Sequence, residues 1–300
     1  MTTTVGGLPL RRRRFLQRSA AQVAGAVAVA TLCASALTAT PSAWSQTPAT
    51  PVATPALDHN YAAWDALLKK HVKWLADNKQ SRVDYKGFAA DRAALQKVLA
   101  EWSAVTAAQF AAFNREQQMA FLINAYNGFT IELILTKYPN LKSIKDLGSL
   151  LQSPWKNKFF TLLGERQHLD WIEHEMLRPK YAEPRVHAAV NCASIGCPAL
   201  RPEAFVAARL DAQLEDGMQR FMADRTRNRF ADGKAQVNMI FKWFREDFEK
   251  GHRGWSRLED VLARYADLLA DAPADRDKLR SRNVAISHLD YDWSLNDLAR

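Results

Sequence analysis

The chain is 300 residues long, 48% apolar and 24% charged, with 12 Gly, 12 Pro and 3 Cys. That composition excludes fibrous, low-complexity and disordered classes and requires a buried core. The formal charge of +9 does not signal a nucleic-acid partner, because Arg11, Arg12, Arg13, Arg14 and Arg18 all lie in the first 45 residues, which hold no Asp, Glu or Lys. Setting those five aside takes the 41 Lys+Arg to 36 against 32 Asp+Glu, so +9 falls to +4.

Residues 1–45 read as a targeting segment. Arg12-Arg13-Arg14-Phe15-Leu16 precedes a mildly apolar Ala/Val stretch from about Ala20 to Ala39, and Ala43-x-Ser45 has the small-residue spacing that signal peptidase reads. The pattern resembles a twin-arginine export signal, with an Arg-rich general secretory signal as the alternative, and implies a periplasmic protein. Cys33 is a weak lipoprotein candidate, since Leu32 precedes it, and it leaves with the signal. No run of about 18 apolar residues follows, so no membrane association is expected after cleavage. Residues 46–56 repeat Thr and Pro and read as a solvated linker. Residues 57–300 then form one globular domain.

Leu57, Tyr61, Trp64, Leu68, Val72 and Leu75 recur at helical spacing and predict an opening helix. Val83-Asp84-Tyr85 reads as a short extended segment, followed by a helix from about Phe88 to Trp102. Asn114 with Gln117 forms a capping-box pattern ahead of a run, Met119 to Leu135, that is apolar nearly all round and predicts a central buried helix ending before Tyr138-Pro139. Phe159–Leu163 and Arg166–Leu169 read as a hairpin across Gly164-Glu165, and Asp170 with Glu173 as the caps of a short helix through Leu177. Pro184 to Val190 alternates and predicts a strand entering an irregular loop that ends at Cys197-Pro198. A helix is expected from Pro202 to Ala223, and a hairpin from Asn228–Phe230 and Ala235–Ile240 across Asp232-Gly233. Lys242-Trp243 and Asp247-Phe248 read as one helix, the aromatics in the core and the charges solvated. Ser256 and Glu259 predict the cap of a late helix, and Val284 to Asp290 a last strand. The fold class is α+β, mostly helical, with a small, largely antiparallel sheet.

Chemistry concentrates in Arg185-Val186-His187-Ala188-Ala189-Val190-Asn191-Cys192-Ala193-Ser194-Ile195-Gly196-Cys197-Pro198, with Glu173-His174-Glu175 just upstream. Four readings compete. Cys192 and Cys197 form a structural disulfide in a binding or scaffold module, the even count suiting an oxidising compartment. Alternatively, Cys192 or Cys197 is a nucleophile, His187 or His174 its base, and Asn191, Asn124 or Asp292 the orienting group. His174, His187, Cys192 and Cys197 could instead close around zinc, although no CxxC pair is present. A thiol–disulfide oxidoreductase lacks both the CxxC and its βαβ setting. Asn124 and Asn127 share one face of the central helix, where they tie loops or floor a pocket. Asp292, in Tyr291-Asp292-Trp293-Ser294-Leu295-Asn296, belongs to a docked tail or orients a histidine.

Phe121-Leu122-Ile123-Asn124-Ala125-Tyr126-Asn127, Ile172-Glu173-His174-Glu175-Met176-Leu177-Arg178 and Arg185 to Pro198 resemble the hallmark blocks of domain of unknown function 547. Ile240-Phe241-Lys242-Trp243-Phe244 with Asp247-Phe248, and Tyr291 to Asn296, resemble its later blocks, so the likeness runs from about Asp84 to Asn296. The resemblance implies no settled activity. Its plant relatives are described as partner-binding proteins with coiled-coil extensions, and no such extension is expected here. The leading expectation is an exported periplasmic protein without a cofactor, its activity open. As an enzyme it is a cysteine-dependent hydrolase of an amide or ester in a small molecule or peptide. Cys192 is then its nucleophile, with Cys197 the other candidate, His187 or His174 its base, and Asn191 assists. The rival is a non-enzymatic binding or scaffold module with a Cys192–Cys197 disulfide, or a zinc site.

Overall fold

The central element is a helix, Arg115–Leu135, and its sequence dictates its place. Asn114 accepts a hydrogen bond from the Gln117 amide (2.8 Å) and the Gln117 side chain accepts one from the Asn114 amide (3.0 Å), the reciprocal cap expected. Apolar on every side, the helix is buried from Met119 through Ile131. Helix Arg92–Ser103 approaches it closely at Gly128, where a Cβ would stand 2.7 Å from the Trp102 ring. The computed structural model describes residues 56–149 and 152–299, and among these the domain is mostly helical α+β. The residues read as an export signal and linker, up to residue 55, lie outside the described residues.

Strand material is divided among three small sheets. Val72–Trp74 (β1) pairs antiparallel with Ser81–Val83 (β2), and Phe160–Leu162 (β3) with Glu165–Gln167 (β4). Arg229–Ala231 (β5) pairs antiparallel with Lys234–Val237 (β6), and Ala285–His288 (β7) joins β6 in parallel. Both expected hairpins form, each across a two-residue turn at positive φ, Leu163-Gly164 and Asp232-Gly233.

Several boundaries differ from the sequence reading. The opening helix, Ala62–His71, stops where Val72 begins β1, and Val72 reaches the core from a strand. Asp84 accepts from the Gly87 amide (2.8 Å), so Tyr85 starts a helix and the extended segment ends at Val83. The helix expected from Pro202 begins at Leu210, after a tight turn over Ala207–Arg209. The chain before it is held open by side chains: Asn124 bonds the Phe205 amide and carbonyl, and Gln213 bonds Val206 and Ala204. Pro184–Ala188 is a 3₁₀ turn, not a strand. Pro184 presets φ, Glu183 accepts from the Arg185 amide (3.1 Å), and the buried Arg185 side chain is drawn to Glu183, Asp211 and Glu215. Asp260 rather than Glu259 caps helix Leu258–Arg264, accepting from the Ser256 and Arg257 amides.

Two apolar clusters result. One surrounds the central helix; the other gathers Phe221, Phe241, Phe248, Val261 and Leu262. The Pro184–Ala188 turn bridges them, Val186 packing in the first and Ala188 in the second. The C-terminal tail closes the seam, with hydrogen bonds from Ile195 to Ser294 (2.8 Å), Asn296 to Ala193 (3.1 Å) and Leu295 to Lys142 (2.8 Å).

Candidate functional site

Where the clusters meet, a cavity of about 150 Å³ opens, and its lining includes Glu173, His174, His187, Cys192, Cys197 and Tyr291. Each arrives from a different local cause. Helix Trp171–Leu177 is wound as a π-helix, a form often found at functional sites, and carries Glu173 and His174. No side chain caps its start; Asp170 faces His174 instead, with 3.7 Å between Oδ1 and Nε2. The 3₁₀ turn aims His187 inward. Gly196 lets the cysteine loop lie flat on the Tyr291 ring, since a Cβ there would stand 2.9 Å from it. The small residues of this loop thus make room for the protein's own tail.

His187 is buried and doubly held. Its Nε2 lies 2.9 Å from Asp247 Oδ2, its Nδ1 lies 3.7 Å from Glu173 Oε1, and Phe244 stacks on its ring with centroids 4.1 Å apart. Burial pushes its pKa down against the pull of Asp247, so the imidazole is neutral near pH 7, with Nε2–H donating to Asp247 and Nδ1 free to accept. Burial opposes the Asp247 charge too, but hydrogen bonds from His187, Arg178 and Lys250 outweigh it and hold this carboxyl well below its usual range. Glu173 goes the other way: burial raises its pKa to about 7, despite a hydrogen bond from the Tyr126 hydroxyl. Burial lowers the His174 pKa, and its Nδ1 accepts from Arg178 (2.9 Å). An acid that keeps its proton near neutrality therefore faces a base that is free of one.

Cys192 and Cys197 are paired as a disulfide with Cα atoms 6.3 Å apart, a separation usual for a bridge. The Tyr291 hydroxyl contacts both sulfurs, at 3.1 and 3.2 Å, and Ser194 Oγ contacts Cys192 at 3.1 Å. The zinc arrangement of His174, His187, Cys192 and Cys197 is not formed, because the sulfurs are spent on each other. Among the described residues no group of three or more His, Cys, Asp or Glu has metal-holding geometry.

The remaining sequence candidates stand apart from the cavity. Asn191 Oδ1 accepts from the Ala193 amide (2.9 Å) and Asn296 (3.2 Å), and its Nδ2 donates to Pro198 (2.8 Å), which fixes the cysteine loop. Asn124 holds Phe205, and Asn127 bonds the Ala189 carbonyl and the Asn191 amide, so both tie loops to the central helix. Asp292 is exposed and caps Ser294 (2.8 Å). The group orienting His187 is Asp247, which the sequence reading placed on a solvated face. Trp243, read there as core, is 43% exposed and walls the cavity. Ile240–Trp243 and Arg245–Glu249 are separate short helices, and that break turns Asp247 inward.

Comparison with protein families gives a match over residues 110–222 to the family described as Protein of unknown function, DUF547. That span holds the central helix, Glu173, His174, His187 and both cysteines; it ends before Asp247, Trp243 and the tail, to which the sequence resemblance had extended. Neither the curated proteins nor the solved structures provide a match.

Proposed function

We propose that the chain is an exported periplasmic hydrolase that cleaves a small ester or amide by proton transfer between His187 and Glu173. The observation that carries this reading is the 3.7 Å approach of Glu173 Oε1 to His187 Nδ1 in one cavity, with Asp247 fixing the far side of the imidazole. Water attacks the carbonyl carbon and gives its proton to Nδ1. Asp247 steadies the imidazolium that forms, and Glu173 donates its proton to the departing oxygen or nitrogen as that bond breaks. The imidazolium then returns its proton to the Glu173 carboxylate, which restores both groups. Water is the nucleophile because the two sulfurs are joined and a thiolate is absent.

A second reading keeps the thiol, and one observation favours it: both cysteines line the same cavity as His187. Reduction by an external dithiol would free Cys192 there. Hydrolysis of p-nitrophenyl acetate and of small p-nitroanilides, with and without dithiothreitol, separates the two. We expect turnover without reductant, about 100-fold lower in Glu173→Gln and His187→Gln. Turnover only after reduction transfers the role to Cys192, and turnover indifferent to both substitutions overturns the proton-transfer reading.

Export rests on Arg12-Arg13-Arg14-Phe15-Leu16 and on Ala43-x-Ser45, and a disulfide suits an oxidising compartment. Replacing Arg12 and Arg13 together by Lys should retain the precursor in the cytoplasm; undisturbed export would favour the general secretory route.

A further inference from the structure

The cavity that holds Glu173 and His187 has walls suited to one kind of ligand. Trp155, Trp243 and Trp293 line it, the Trp293 ring lying 5.8 Å from Trp155 and 5.7 Å from Trp243. Aromatic faces carry the negative part of the ring quadrupole and attract cations. The lining includes the carboxyls Asp170 and Glu173 and no Lys or Arg. Arg178, which reaches His174, is turned to Asp247 and Glu246. Among the described residues the one ion-pair contact of Asp170 is His174, at 3.7 Å. Burial keeps that imidazole below its ordinary range, so it is a poor counter-charge at neutral pH. One face of Trp293 is taken by the protein itself, Lys145 Nζ lying 3.8 Å from its ring centroid, which leaves Trp155 and Trp243 as the cation-binding walls.

We propose that the cavity takes a methylated ammonium group, with Asp170 as its counter-charge and Trp155 and Trp243 as its faces. A primary ammonium would bring three N–H donors and need acceptors for them. Asp170 can accept from one of them, but Glu173 is engaged by Tyr126, and the Tyr291 hydroxyl by Ser194 and the sulfurs, so the remaining donors would go unpaired. A quaternary head needs none, and a space of about 150 Å³ suits such a head with a short arm. This inference rests on the hydrolase reading for its consequence: the substrates would be esters or amides whose alcohol or amine part carries the quaternary nitrogen, held so that the carbonyl lies beside Glu173 and His187.

Choline, its neutral isostere 3,3-dimethyl-1-butanol and tetramethylammonium make the test, titrated into the mature protein at pH 7 with tryptophan fluorescence as readout. We expect choline and tetramethylammonium to bind about tenfold or more tightly than the neutral alcohol. Asp170→Asn and, separately, Trp243→Ala should each weaken choline binding by about tenfold. Trp243 is partly exposed, so its variant keeps the test decisive if Asp170→Asn fails to fold. Equal binding of choline and the alcohol, no binding of choline, or choline binding indifferent to both substitutions overturns the proposal. The measurement is independent of turnover. Loss of choline binding with Glu173-dependent hydrolysis intact removes the ammonium site alone, whereas choline binding without hydrolysis supports the site and removes the reaction.

Discussion

His187 Nε2 lies 2.9 Å from Asp247 Oδ2, joining two residues 60 positions apart in the sequence. That carboxylate also receives Arg178 and Lys250, so one buried charge anchors the imidazole and links helix Trp171–Leu177 to the short helix Arg245–Glu249. Asp247→Asn leaves the shape and removes the charge. We expect it to cost on the order of 3 kcal/mol in urea unfolding. Hydrolysis should fall with it; an unchanged denaturation midpoint would show that the ion pairs do not hold this seam together.

Glu173 makes stability depend on pH in a specific direction. Its carboxyl titrates near 4.5 unfolded and at about 7 folded, so the folded state holds the proton more tightly. The contribution is fully present below 4.5 and is lost as pH rises through about 7. His187 and His174 act oppositely: their folded values lie below 6.5, so what they contribute is present above 6.5 and lost as pH falls. Comparison with Glu173→Gln isolates the carboxyl. Between pH 5 and pH 8 the variant should gain on the wild type by on the order of 3 kcal/mol. Parallel stability curves for the two proteins would contradict the raised pKa.

The disulfide closes a short loop, so its removal should cost about 2 kcal/mol, near the low end for native bridges. Cys192→Ala with Cys197→Ala, followed by urea unfolding, measures that cost. Alkylation of the full chain without reduction should leave Cys192 and Cys197 unlabelled, and labelling of both would show the bridge to be open.

Asn191 was a candidate for assisting catalysis, yet its polar atoms are taken up in shaping the loop between Ala193, Pro198 and Asn296. Asn191→Ala should therefore lower stability by about 3 kcal/mol, because several buried partners lose their bonds together. A variant as stable as the wild type but inactive would return Asn191 to a catalytic role.

Local signals carried much of the fold. The Asn114–Gln117 box, the all-round apolar run behind it and the Asp232-Gly233 turn are short-range features, and each formed where the sequence placed it. The first hairpin turns at Leu163-Gly164, one residue ahead of the expected Gly164-Glu165. What local pattern could not show was competition from distant side chains. The alternation from Pro184 to Val190 mimics a strand, but Arg185 is pulled toward acids on helix Leu210–Ala223 and the chain coils. His187, His174 and the cysteines stood out by residue type and do share the cavity. Asp247 did not stand out, because Arg245-Glu246-Asp247 looks like a solvated face until the break after Trp243 turns it inward. Glu173 was visible beside His174, but nothing local showed that it would be buried with its proton on.

The most direct test of the acid–base pair is the titration of Glu173 itself, read by carbon NMR of carboxyl-labelled glutamate in the protein and assigned with Glu173→Gln. We predict one glutamate resonance that titrates near pH 7 and vanishes in the variant. If every glutamate instead titrates in the ordinary range between about 4 and 5, Glu173 holds no proton at neutral pH and cannot serve as the acid.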